Sequence, residues 1–199
     1  MPDFSNTSIA IIGVGLMGGS LGLAARERLG VERVPGYSRT GRTLRRALEL
    51  GAITDQAGSI DEAVAAADIV FVATPVRSIL EAARQALAAT GRGCIVTDMG
   101  STKSSLMAAL SAAEEKRFIG GHPVCGSEAA GVENAREELF DRATWFLTSG
   151  SGVDPSNYER LHGFIAGIGA VPTAIDPNAH DRIMALVSHL PHILANSAM

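Results

Sequence analysis

The sequence predicts an α/β protein built on a doubly wound, mainly parallel sheet, followed by the start of an all-helical second domain. Three observations carry this expectation. Apolar β-rich runs alternate with helical stretches from Ser8 to Ala174, the order that lays helices on both faces of a parallel sheet. The first strand-to-helix joint reads Gly13-Val14-Gly15-Leu16-Met17-Gly18, a GxGxxG spacing in the place where Rossmann-type domains carry it. From Pro177 the alternation gives way to a single helical stretch running to Met199. The domains expected are therefore 1–176 and 177–199.

Each element follows in order. Ser8–Gly13 is an apolar strand, and Leu16–Leu29 a helix stopped by Gly30, since glycine enters the left-handed conformation at a helix end at little cost. Arg33–Ser38 reads as the second strand, with helices over about Thr40–Leu50 and Ile60–Ala67. Asp68–Ala73 is a strand, after which Thr74 is expected to cap a helix with Pro75 in its first turn, where a missing N–H costs nothing. Gly93–Asp98 is another strand, and Ser101 is expected to cap the next helix. Phe118–His122 and Trp145–Thr148 read as strands, Asp154–Gly167 as a helix, and Ala170–Ala174 as the strand that closes the sheet. Pro191 removes an N–H within the last helix and predicts a kink near His192.

Composition narrows the function classes. Of the 199 residues 46% are hydrophobic and 19% charged, which is ordinary for a soluble protein with a real core. A net charge of −4 without any Lys/Arg block argues against nucleic-acid binding. The apolar run Ile9–Ala25 lacks a basic leader and is broken by glycines, so it reads as strand, turn and helix rather than a signal peptide, and a cytoplasmic location is expected. Cys94 and Cys125 have no partner pattern and are read as reduced thiols, with no disulfide, no metal site and no catalytic thiolate.

The glycine motif points to a dinucleotide. Gly13 permits the tight turn, Gly15 admits a pyrophosphate to the backbone, and Gly18 lets helix and strand pack closely; Leu16 and Met17 open the helix whose free N–H groups face the phosphates. A carboxylate that would hold an adenosine ribose belongs about 20 residues on, at the end of the second strand. Ser38-Arg39-Thr40 stands there instead. A hydroxyl and a guanidinium would accept a 2′-phosphate that a carboxylate would repel, so NADP is the expected cofactor, with NAD as the alternative. Thr74 and Pro75 end the neighbouring strand and complete the cofactor-binding set.

Chemistry is expected at two further places on the same sheet edge. Asp98-Met99-Gly100-Ser101-Thr102-Lys103 follows one strand, and Gly120-Gly121-His122-Pro123-Val124-Cys125-Gly126-Ser127-Glu128 presents a histidine between glycine and proline. The late helix adds His180, Asp181, Ser188, His189 and His192, of which Asp181, Ser188 and His192 share one face. A kinked polar stripe suits a cleft wall; a solvated surface and, more weakly, metal ligation are the competing readings.

Together these segments resemble the prephenate/arogenate dehydrogenase family of tyrosine biosynthesis. The matching pieces are Gly13–Ser20 (GVGLMGGS), Asp98–Lys103 (DMGSTK), Gly120–Glu128 (GGHPVCGSE) with Gly131, Leu139-Phe140, and His180-Asp181 through Ser188-His189-Leu190-Pro191-His192. The resemblance implies NAD(P)-dependent oxidative decarboxylation of prephenate or arogenate, with hydride leaving the ring carbinol as carbon dioxide leaves the opposite carbon. It gives His122 the role of proton acceptor and has Ser101 hold the hydroxyl or the nicotinamide. His192, His189 and Ser188 would contact the substrate, with Glu128 and Asp181 lining or gating the cleft. It also implies a homodimer formed through a C-terminal helical domain that supplies a carboxylate-binding arginine, which this sequence, ending inside a helix, does not contain. Ser38-Arg39 departs from the acidic ribose holder of NAD-using members. Two rivals remain. One is another NADP-dependent β-hydroxyacid-type dehydrogenase, which would need a lysine after the sheet although Lys103 and Lys116 both precede residue 176. The other is a non-catalytic dinucleotide-sensing module.

Overall fold

The computed structural model describes residues 3–125 and 129–189, with only the backbone at Ser188 and His189. Eight strands form one sheet: β1 (Ile9–Ile12), β2 (Pro35–Tyr37), β3 (Asp55–Gln56), β4 (Ile69–Val72), β5 (Ile95–Asp98), β6 (Phe118–Pro123), β7 (Thr144–Ser149) and β8 (Val171–Ala174). Their spatial order is β3-β2-β1-β4-β5-β6-β7-β8. All neighbours pair in parallel except β6 and β7, which are antiparallel. The order reverses between β1 and β4, so a crevice opens beyond the carboxyl ends of those two strands.

The alternation of side chains along the strands builds two cores. Ile9, Ile11, Phe71, Ile95 and Ile119 join one cluster with Leu21 of α1 (Leu16–Leu29) and Phe164 of α7 (Pro155–Gly167). Their sequence neighbours Ala10, Ile12, Val70, Val72, Val96 and Phe118 join the other, against Ile79 and Ala83 of α4 (Val76–Ala89) and Leu106 of α5 (Ser104–Ala108). A period of two with both phases apolar is what a sheet covered on both faces requires. The remaining helices are α2 (Gly41–Glu49), α3 (Ile60–Val64), α6 (Ala112–Glu115) and α8 (Pro177–Met184).

Several expectations are corrected at element ends. Thr74 does not cap α4: the cap position is Pro75, with no side-chain bond, and the Thr74 hydroxyl is buried without a partner among the described residues. Ser101 does not cap α5 either; it is exposed, and the cap position falls on Lys103. The segment after Ser101 forms two short helices, the second opened by a capping box between Ser111 and Glu114. His122 lies within a strand rather than a loop, since β6 continues through Pro123 and pairs His122 with Phe146. Only α8 opens the final stretch as an α-helix, with Asp176 accepting bonds from the N–H groups of Asn178 and Ala179, and it passes into a π-helical turn over Ala185–His189. The kink expected at Pro191 and the run to Met199 lie outside the described residues. No described helix is long and apolar enough to cross a membrane.

Candidate active site

The crevice between β1 and β4 is a cleft of about 1170 Å³ lined by Gly13, Val14, Gly15, Ser38, Arg39, Thr74 and Pro75, among others. Gly13 has φ +96°, and a β-carbon there would stand 2.7 Å from the Ala73 carbonyl carbon. Glycine is therefore required twice over, by conformation and by space. A β-carbon on Gly18 would come within 2.9 Å of the Ile11 side chain, whereas one on Gly15 would meet nothing within 4 Å. The middle glycine thus faces open space while the other two hold the strand and helix together. The first turn of α1 has no side-chain cap and no acidic residue, which leaves its N–H groups and dipole end available to an anion. Together with the unpartnered Thr74 hydroxyl, these features fit a dinucleotide.

Arginines furnish the far end of this cleft. Arg39 is exposed at the end of β2, and Arg42 and Arg45 of α2 line the same space. Arg46 also lines it but is paired with Glu49 at 3.0 Å. Arg39, Arg42 and Arg45 form no ion pair with the described residues.

A second polar centre sits beyond the carboxyl ends of β5 and β6. Asp98 is fully buried and pairs with Lys103, which is equally buried. Its carboxylate also accepts from the N–H of Gly100 at 2.9 Å and of Gly121 at 3.0 Å. One carboxylate therefore ties the end of β5, the loop after it and β6 together. His122, next to Gly121, points Nδ1 at Nε2 of His180 at 2.8 Å. Nδ1 of His180 lies 2.7 Å from Asp181, whose oxygens accept from the N–H of Lys103 at 2.8 Å and of Ser104 at 2.9 Å. Asp181 thus caps α5 from across the fold, which is why Ser101 is not needed for that role.

Electrostatics set the protonation of this centre. Burial, with His180 and Lys103 nearby, pushes His122 down to about 4, against a smaller upward pull from Asp181. Its imidazole is neutral near pH 7. Burial acts to raise Asp181, but hydrogen bonds from His180, Ser104 and Lys103 outweigh it and hold the carboxyl at about 2. Burial raises Cys125 to about 11, so it is a thiol and not a thiolate at neutral pH.

The sequence matches the family described as "Prephenate dehydrogenase, nucleotide-binding domain" over residues 21–173, and "Prephenate dehydrogenase, dimerization domain" over 176–199. The chain belongs to the prephenate dehydrogenase family. It is 36% identical to the prephenate dehydrogenase of Bacillus subtilis (strain 168) over 194 residues, covering 96% of this chain and 52% of that protein. The crystal structure of prephenate dehydrogenase from Aquifex aeolicus is similar with a TM-score of 0.90 and 31% identity, over 96% of this chain and 69% of that one. Synechocystis arogenate dehydrogenase is similar with a TM-score of 0.84 and 30% identity, over 93% of this chain and 65% of that one. The chain spans about half the length of the curated relatives it matches.

Within this prephenate dehydrogenase family chain the expected residues separate into two groups. Gly13, Gly15, Ser38, Arg39, Thr74 and Pro75 all line the cleft. Leu16 and Met17 instead pack against the core behind it, Gly18 packs on β1, and Thr40 is exposed at the start of α2. Ser101 is exposed beyond β5, and Asp181 is engaged by three protein groups, the N–H groups of Lys103 and Ser104 and Nδ1 of His180. Glu128 and His192, and the side chains of Ser188 and His189, lie outside the described residues. Sequence reasoning missed Lys103 and the contact of His180 with His122. Lysine in DMGSTK was the available signal for the first; for the second there was none, because 58 residues separate the two histidines.

Proposed function

We propose that the protein is an NAD(P)-dependent dehydrogenase that oxidatively decarboxylates prephenate, arogenate or both, in the cytoplasm. The observation that carries this reading is His122: a neutral imidazole at the sheet edge that also bears the dinucleotide cleft, its Nδ1 engaged and its Nε2 without a hydrogen-bond partner among the described residues. The names of the relatives agree, and the Aquifex aeolicus protein has been solved in complex with hydroxyphenyl propionate and NAD+.

In this reading the cofactor lies along Gly13–Gly15, Thr74 and Pro75, and when bound it supplies a hydride acceptor. The chain's own task is to hold the ring and handle one proton. Nε2 of His122 accepts the proton of the ring hydroxyl as the carbinol hydrogen leaves as hydride and a carbonyl forms. The bond to the ring carboxylate then breaks; its electron pair enters the ring, which becomes aromatic as carbon dioxide departs. The resulting phenolate oxygen takes the proton back from His122, so none is released overall. Ser101 steadies the hydroxyl or the nicotinamide, and Ser188, His189, His192 and Glu128 contact the rest of the substrate. Residues 177–199 begin the helical domain through which two copies pair, and the boundary lies near 176.

The finer cofactor assignment is NADP over NAD. Ser38 stands where a ribose-binding acid would exclude a phosphate, and Arg39 and Arg42 bring unpaired positive charge to that end of the cleft.

The reduced-nicotinamide absorbance band, followed with prephenate or arogenate and either cofactor, tests the activity in the full-length protein. His122→Asn keeps the shape and removes the acceptor, and kcat is expected to fall by roughly 10²–10⁴ with cofactor affinity within a few-fold. A variant retaining more than half the wild-type kcat would remove His122 from the mechanism. Absence of turnover in all four combinations would remove the activity itself.

A further inference from the structure

We propose that His180 is a positioning residue for His122: anchored on Asp181, it fixes His122 in the tautomer whose Nε2 carries the free lone pair. The inference rests on the dehydrogenase reading for its catalytic meaning, although the tautomer itself is defined without it. With one proton on each imidazole, hydrogen-bond polarity along the chain of contacts leaves one solution. Asp181 already accepts from the N–H groups of Lys103 and Ser104, and an ionised carboxylate can only accept. The contact at 2.7 Å therefore requires that Nδ1 of His180 donates. A neutral His180 then has its lone pair on Nε2, so at 2.8 Å the donor must be Nδ1–H of His122. The remaining nitrogen of His122, Nε2, is left bare and basic.

Packing makes this arrangement rigid. His180 is fully buried and stands edge-on to Phe146 at 5.4 Å and to His122 at 5.0 Å. Asp181 cannot turn away without uncapping α5. The groups around His122 are Asp98 at the end of β5, Lys103 before α5, and His180 and Asp181 on α8. Lys103 is neutralised by Asp98, so the nearest uncompensated negative group is Asp181. When His122 accepts the substrate proton, its Nδ1–H stays on His180 and the new positive charge lies two hydrogen bonds from that carboxylate. A single proton gained by His180 would reverse the polarity, place hydrogen on Nε2 of His122 and block it.

The same logic gives the variants their signs. The Asp181 oxygen that meets Nδ1 of His180 also accepts from the Lys103 N–H; Asp181→Ala removes it and leaves His180 free to take either tautomer and to reverse its bond to His122. His180→Gln keeps an acceptor oxygen near the place of Nε2, whereas His180→Ala removes it.

The test is long-range ¹⁵N–¹H correlation on protein labelled at histidine nitrogens, with the His122 signals assigned by their loss in His122→Asn. At pH 7 the expected spectrum shows His122 protonated on Nδ1 and bare on Nε2. Asp181→Ala and His180→Ala should each release the fixed tautomer, and His180→Gln should retain it. In turnover, kcat should fall roughly tenfold or more in Asp181→Ala and in His180→Ala, recover in His180→Gln, and leave the cofactor Kd within twofold throughout. A wild-type spectrum with Nε2–H on His122 overturns the proposal without any variant having to fold. So does an Nδ1–H tautomer that persists in Asp181→Ala and His180→Ala. The expected spectra in a protein that turns over neither substrate would leave the tautomer standing and sink the dehydrogenase reading instead.

Discussion

The nucleotide cleft and the proton-handling centre lie on one sheet edge but are built in opposite ways. The cleft is made of short local motifs brought to one edge: the glycine turn and helix start after β1, the ends of β2 and β4, and arginines that remain exposed. The proton centre is held by hydrogen bonds between residues as far as 58 and 78 positions apart and by one buried ion pair. Backbone and exposed side chains suffice to bind a phosphate-rich ligand, because its charge is fixed and strong. Moving a proton requires a defined tautomer and a set pKa, and both come from burial and long-range partners. Binding can thus be encoded locally, whereas proton chemistry needs the folded core.

If that difference is real, disturbing the second centre should cost stability and disturbing the first should not. Lys103→Met provides the largest expected effect. It leaves the Asp98 carboxylate fully buried with, among the described residues, only the Gly100 and Gly121 N–H groups as partners. Removing one member of a buried pair costs about 3–5 kcal/mol. The urea midpoint should fall accordingly, and adding Asp98→Asn should restore part of it because an amide oxygen can still accept from Gly121. A single variant within 0.5 kcal/mol of wild type would show that the pair holds nothing together.

The same division explains how much could be read from the sequence. Strands β1, β4 and β5 and helices α1 and α7 were legible because periodicity and end signals agree over their length. Gly30, for example, ends α1 in the left-handed conformation at φ 65°. Strand β3 was missed because two exposed residues, Asp55 and Gln56, carry no apolar pattern. At α5 and α4 the local rules misled. A serine or threonine before a helical run predicts a cap, but Asp181 supplies it for α5 from 78 residues away. The Thr74 hydroxyl is buried at the cleft wall instead. Gly13–Gly15 and Ser38-Arg39 were legible as a cleft, and His122 as a residue type in an unusual setting. What His122 touches was not, since no spacing rule links β6 to the start of α8.

Acid should distinguish the two regions next. Around His122 the folded value is about 4 against an ordinary 6.5, so the unfolded chain takes up a proton that the folded site refuses. Stability from this group is therefore intact above about pH 6.5 and is lost as the pH falls toward 4, by at most about 3 kcal/mol. Asp181 adds a second window: its folded value of about 2 lies below 3.8, so its contribution is present above 3.8 and is lost as the pH falls toward 2. Urea midpoints between pH 7 and 4 should fall less steeply in His122→Asn than in wild type. Equal slopes would mean that His122 is not held neutral by its surroundings.

The smallest effect belongs to the cleft and should appear in ligand affinity alone. Arg39 is exposed at the end of β2 and has no ion-pair partner among the described residues, so its loss exposes no buried group and should shift stability by less than about 0.5 kcal/mol. Losing one charge-assisted hydrogen bond to a 2′-phosphate costs on the order of 1.5–3 kcal/mol, so Arg39→Ala should weaken NADP+ by about tenfold or more. NAD+ has no phosphate there, and its affinity should stay within twofold. Arg42 and Arg45 share the space and should leave a residual preference that Arg39→Ala with Arg42→Ala reduces further. Calorimetry with both cofactors on wild type and both variants decides the matter. Equal or tighter NAD+ binding to wild type would refute the phosphate assignment, and the exposed arginines would then be solvated charges at the mouth of an NAD site.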